Sequence, residues 1–132
     1  MASYKRIMLI DDNETDNVIN EEIIKSNSFA DTIDVFNTGQ AALDYLQAHA
    51  TPELEGKLPE IIFLDINMPI MNGFEFLEEF EKFNLTVTNK CRIIILTASV
   101  QSKDIDRAAS SKYVKLYLGK PLNIRHLNAI DI

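Results

Sequence analysis

Short apolar runs, each closed by a polar residue, recur along the chain: Ile7–Ile10 leads into Asp11 and Asp12, Ile61–Leu64 into Asp65, Ile93–Leu96 into Thr97, and Val114–Leu118 into Gly119 and Lys120. Thr32–Phe36 adds a candidate strand between the first two runs. Continuous apolar runs of this length read as strands covered on both faces, because strands wetted on one face alternate apolar and polar positions. Helical spacing between them predicts amphipathic helices at Glu14–Lys25, with Val18, Ile19, Ile23 and Ile24 inward; at Gly39–Ala48, with Ala42, Leu43 and Leu46 inward; and at Phe74–Phe83, with Phe74, Leu77 and Phe80 inward. Two more are expected at Ser102–Lys112, facing in through Ile105, Ala108 and Ala109, and at Asn123–Ile130, through Leu127 and Ile130. Thr38, Asn72 and Asn123 stand where a side-chain oxygen can cap a helix N-terminus. Ala50–Pro59, with two prolines and a glycine, and the polar Asn84–Cys91 read as longer surface loops.

Strand and helix alternate throughout, which places the chain in the α/β class as a doubly wound, five-stranded parallel sheet with helices on both faces. In such open sheets ligands bind beyond the carboxyl ends of the strands, where polar residues delivered by several strands converge. The four strand-end residues therefore point to one shared site.

Size and composition narrow the picture. At 132 residues, 46% of them hydrophobic, the whole chain 1–132 fits a single domain with one ordinary core. Its apolar stretches fall far short of the roughly 20 residues that span a bilayer, and the N-terminus has no secretory apolar region, so no membrane insertion and a cytoplasmic location are expected. Cys91 is the sole cysteine and reads as a small structural thiol. His49 and His126 show no ligand spacing and read as exposed polar residues. A formal charge of -7 opposes direct nucleic acid binding and favours cations or basic partner surfaces.

The strand-end residues also carry a coherent chemistry. Asp11, Asp12 and Asp65 would repel one another if brought together without a counter-charge, and an all-oxygen donor set of this kind suits octahedral magnesium. Asp65, at the end of its strand, could accept a phosphoryl group as a covalent nucleophile. Thr97 offers a hydroxyl and Ala98 a backbone amide to phosphate oxygens, and Lys120, held by the following Pro121, offers an ammonium on a long stem. Each residue alone has a plain structural reading: a helix N-terminal charge, a turn aspartate, a surface lysine. Their joint placement changes that.

Taken together, Asp11-Asp12 after the first strand, Asp65 after the third with Met68-Pro69 and Asn72-Gly73 behind it, Thr97-Ala98 after the fourth and Lys120-Pro121 after the fifth resemble the receiver domain of two-component response regulators over essentially the whole chain. The resemblance implies the flavodoxin-like strand order 2-1-3-4-5. It implies that Asp65 is the phosphoacceptor, and that Asp12, Asp65 and the backbone carbonyl of Asn67 ligate magnesium, with manganese able to take its place. Asp11 would act largely through coordinated water. Lys120, Thr97 and Ala98 would bind the phosphoryl oxygens, and Tyr117 would be the aromatic switch that follows Thr97. Asn67 and Ser99 would occupy positions that influence phosphoryl lifetime. The implied partners are a sensor histidine kinase or histidine phosphotransfer protein and a downstream protein engaged by the Ser102–Ile130 face. The segment Ser110-Ser111-Lys112 departs from the family by lacking a glycine often found there, and the final helix looks short.

The expected function is that of a stand-alone regulator that takes a phosphoryl group from a histidine, a phosphoacceptor rather than an enzyme. Three other readings differ in chemistry. A degenerate receiver would bind partners without phosphorylation, although every key side chain is present. A magnesium-dependent aspartyl-phosphate phosphohydrolase usually has a second aspartate two residues after the nucleophile, where this chain has Asn67. A flavodoxin-like electron carrier needs a serine-, threonine- and glycine-rich phosphate loop after the first strand, where Asp11-Asp12-Asn13-Glu14 would repel the flavin phosphate.

Overall fold

The isoleucine- and leucine-rich runs form the centre of a parallel sheet, and their burial shows why they are apolar on both sides. In the computed structural model, which describes residues 3–132, the strands are β1 (Tyr4–Ile10), β2 (Ala30–Phe36), β3 (Ile61–Leu64), β4 (Arg92–Thr97) and β5 (Val114–Gly119), in the order β2-β1-β3-β4-β5. Met1 and Ala2 of the expected unit 1–132 lie outside the described residues. Met8, Ile10, Ile62, Leu64, Ile93 and Ile95 enter one core cluster, while Ile7, Leu9, Ile61, Phe63, Ile94 and Leu96 enter another. This period-two alternation between two buried faces is the flavodoxin-like, doubly wound sheet expected from the sequence.

The helices are α1 (Glu14–Ser26), α2 (Gly39–Ala48), α3 (Gly73–Phe80), α4 (Leu85–Lys90), α5 (Ser102–Ala109) and α6 (Ile124–Ala129). The first cluster takes Ala42, Leu43 and Leu46 of α2, Phe74, Leu77 and Phe80 of α3, Val87 of α4 and Ala108 of α5; the second takes Ile24 of α1 and Leu127 of α6. Thr38, Asn72 and Asn123 cap α2, α3 and α6 as expected, and Asn72 does so through a reciprocal box with Glu75. Cys91 is 2% exposed and burial pushes its thiol pKa up to about 12, the state of an inert structural thiol.

Several local expectations are corrected. On α1, Val18 and Ile19 are 65% and 44% exposed, and the inward face is Asn17, Asn20 and Ile24, with Ile23 partly buried against the same core as expected. The rotation is set by polar contacts: Asn13 caps the helix, and Asn17 Nδ2 donates to the Asp11 carbonyl at 2.8 Å. On α5, Ser99 Oγ donates to Asp104 Oδ2 at 2.6 Å and Ala108, one turn later, is buried, which turns Ile105 and Ala109 outward. That helix stops at Ala109, short of Lys112, and α3 stops at Phe80, short of Phe83. Asn84–Cys91 is not a loop but contains α4, and Ala50–Pro59 contains a 3-10 helix at Pro52–Lys57. His49 and His126 are half-buried, His49 with Nδ1 2.7 Å from the Tyr45 carbonyl oxygen.

Candidate functional site

Strand register decides which side chains meet. Ile10 pairs with Leu64 and Leu64 with Ile95, so Asp11 and Asp65 leave neighbouring strands at the same edge; the Asp65 amide donates to the Ile10 carbonyl at 3.0 Å and ties the two ends together. Thr97 pairs with Gly119, and the Lys120 amide donates to the Thr97 carbonyl at 3.0 Å. Three of the four strand ends thus turn toward one point through Asp11, Asp65 and Lys120.

That point is an ion cluster. Lys120 Nζ lies 2.5 Å from Asp11 Oδ2, 2.8 Å from Asp16 Oδ2 and 3.4 Å from Asp65 Oδ2. Asp11 and Asp65 are buried and Asp12 is exposed, yet one ligand oxygen from each of these carboxylates falls within 4.8 Å of the others. Burial, chiefly, and the neighbouring Asp65 charge raise the Asp11 pKa, against the hydrogen bonds from Lys120 and the Asn13 amide. Burial works to lower the Lys120 pKa, but hydrogen bonds to Asp11 and Asp16 and the charges of Asp65 and Asp11 outweigh it and raise it, so the ammonium stays charged. Converging hard oxygen donors with excess negative charge fit a divalent cation of the magnesium type.

Close backbone approach shapes the rest. Gly73, the first residue of α3, sits so near the site strand that an added Cβ would lie 2.6 Å from the Asp65 carbonyl oxygen and 2.8 Å from Ile66 Cα. The Asn67 amide lies 3.4 Å from Asp65 Oδ1, a long contact, while its side chain is exposed. Thr97 is fully buried, and its hydroxyl oxygen accepts from the Ser99 amide at 3.3 Å. Ala98 is exposed beside a groove of about 470 Å³ that Asn67, Ser99 and Lys103 also line. Tyr117 is half-buried in β5, and its hydroxyl donates to the Ser99 carbonyl at 3.0 Å, joining the edge strand to the loop after Thr97.

Asp16 escapes sequence reasoning. An acidic residue in a helix's first turn is ordinary, and its partner Lys120 lies 104 residues away. Asn17 escapes it too, since an asparagine on the inward face of an amphipathic helix breaks the apolar pattern that reveals such faces.

A profile of the response regulator receiver domain matches residues 7–130. The chain belongs to the response regulator receiver family. Among curated relatives of this receiver is the probable methanogenesis regulatory protein FilR2 of Methanothrix harundinacea, 31% identical over 122 residues, covering 92% of this chain and 75% of the relative. A two-component response regulator from Cytophaga hutchinsonii has a similar crystal structure, with TM-score 0.84 and 32% identity over 94% of this receiver and 91% of that chain. The Mn(2+)-bound form of Rcp1, a response regulator of Synechocystis, superposes with TM-score 0.71 at 30% identity, over 93% of this receiver and 86% of that chain. The acidic cluster of Asp11, Asp12 and Asp65 is of the kind found at phosphoacceptor sites in this family. Among the described residues, no helix of the receiver is long and apolar enough to cross a membrane.

Proposed function

We propose that this receiver accepts a phosphoryl group on Asp65 from a phosphohistidine of a sensor kinase or phosphotransfer protein, in a reaction that needs magnesium, for which manganese can substitute. The observation that carries this reading is Asp65 itself: a buried strand-end carboxylate with the Lys120 ammonium 3.4 Å away and Asp11 and Asp12 beside it. An Asp65 carboxylate oxygen attacks phosphorus, the phosphorus–nitrogen bond of the donor breaks, and its electron pair stays on the imidazole nitrogen. Asp11, Asp12, Asp65 and the Asn67 carbonyl would hold the cation, which supplies positive charge opposite the phosphoryl oxygens. Lys120, the Thr97 hydroxyl and the Ala98 amide bind those oxygens, and the same preorganised donors let the chain assist both gain and loss of the group. Val18, Ile70 and Val100, in the segments that follow three of the strand ends, are 65%, 100% and 85% exposed, and we assign them to contact with a protein donor.

The new charge can shift an equilibrium only as far as the modified state makes better contacts. Drawing Thr97 toward the phosphoryl group moves the loop whose Ser99 carbonyl Tyr117 holds, and so reaches β5 between α5 and α6, on the Ser102–Ile130 face that we assign to a downstream protein partner. Radiolabelled acetyl phosphate tests the assignment. Label is expected on the wild type with magnesium, and neither in chelator nor on Asp65→Asn; equal labelling of the two proteins overturns Asp65 as acceptor.

A further inference from the structure

We propose that Asp16 is a positioning residue that competes with the phosphoryl group for Lys120, so that a carboxylate in the first turn of α1 limits how firmly the site retains a phosphoryl group. This rests on Asp65 being the phosphoacceptor.

A lysine ammonium has three N–H donors, and here three carboxylates, Asp11, Asp16 and Asp65, surround it at 2.5, 2.8 and 3.4 Å. Two of these also belong to the cluster that fits a cation, and Asp16 does not. A cation on Asp11, Asp12 and Asp65 draws on oxygens that Lys120 now uses, whereas Asp16 keeps its claim on the ammonium whatever the cluster holds. Asp16 is also fixed in place: its amide donates to Asn13 Oδ1 at 3.0 Å, and its side chain is only 33% exposed.

Negative charge in a first helical turn interacts favourably with the helix N-terminus whatever else it does. Glu14 lies in the same turn, yet only Asp16 reaches Lys120. When phosphoryl oxygens arrive beside Asp65, Lys120 must turn donors toward them, and each one left on Asp16 is one the phosphoryl group lacks. Asp16 also adds a like charge near the incoming group. Both effects weaken the phosphorylated state, the first through Lys120 and the second directly.

Beryllofluoride, an anionic mimic of the phosphoryl group, measures this at equilibrium when titrated calorimetrically in saturating magnesium. Asp16→Asn keeps the size and shape of the side chain and is expected to bind beryllofluoride about three- to fivefold more tightly than wild type, the scale of a partly exposed ion pair. Asp16→Glu, which keeps the charge, should return the affinity toward wild type. In a Lys120→Gln background Asp16→Asn is expected to lose most of its effect. Unchanged or weaker binding by Asp16→Asn overturns the proposal, as does an undiminished gain without Lys120. If Lys120→Gln binds no beryllofluoride, the contrast between Asp16→Asn and Asp16→Glu decides. If the wild type itself takes neither beryllofluoride nor label, the acceptor reading falls and this inference with it; if it takes both and Asp16→Asn matches it, only the role of Asp16 falls.

Discussion

Ile70 holds backbone strain at the rim of the site. It has φ of 70°, a region that β-branched residues rarely adopt, and the Met71 amide closes a three-residue turn onto the Pro69 carbonyl at 2.7 Å. Its side chain is 100% exposed, so no burial offsets the strain. A residue held in such a region costs about 1–3 kcal/mol, whereas glycine's extra freedom in the unfolded chain costs only about 0.4–1 kcal/mol. Relief outweighs entropy, and Ile70→Gly is expected to stabilise the fold by about 1 kcal/mol, read as a higher urea midpoint at unchanged slope. A lower midpoint would show that the turn is not strained.

At the scale of elements, the seating of α3 on the strand that carries Asp65 matters most. Gly73 allows it, because a Cβ there would meet the Asp65 carbonyl oxygen and Ile66 Cα, which are backbone atoms that cannot swing aside. Gly73→Ala is therefore expected to lower stability by about 1–3 kcal/mol, the range for overpacked sites, and to weaken magnesium binding as Asp65 shifts. Denaturant titration and a magnesium titration of the same variant check both, and a variant with wild-type values in each would mean that α3 can slide without disturbing the site. The central strands β1, β3 and β4 were legible in the sequence because strands buried on both faces leave unbroken apolar runs, whereas the half-exposed edge strands β2 and β5 are interrupted by Asp34 and Lys115; the polar strand ends were legible because parallel topology puts them at one edge. Helix faces were less so. Val18 and Ile19 obey helical spacing, but Asn17 turns α1 by bonding to the backbone at Asp11, a contact that no apolar pattern records. The short α4 stayed hidden because Leu85–Lys90 has little apolar content; Asn84 caps it and anchors it by donating to the Ala50 carbonyl at 2.9 Å, and only Val87 is buried. The acidic cluster of Asp11, Asp12 and Asp65 could be read residue by residue, whereas Asp16 required the fold to bring α1 beside the loop after β5.

Across the whole molecule, the formal charge of -7 and the acidic cluster act in the same direction. Folding brings Asp11, Asp12 and Asp65 together, and Lys120 offsets part of that charge through Asp11 and Asp65, while Asp12 has no ion-pair partner among the described residues. The folded state therefore carries repulsion that the unfolded chain does not. A divalent cation that binds only the folded cluster relieves it and stabilises by mass action, by about 2.7 kcal/mol at a hundred times its dissociation constant. For a domain of this size that amounts to a rise in melting temperature of roughly 10 °C. Asp12→Asn removes the one carboxylate of the cluster that Lys120 does not neutralise. It should melt higher than wild type in chelator, because the repulsion is gone, and should lose most of the magnesium-dependent rise, because a ligand is gone. Calorimetric melting of both proteins with and without magnesium tests the two signs separately. A variant that melts lower in chelator would show that the cluster is not strained, and one that keeps the full magnesium response would show that Asp12 is not a ligand.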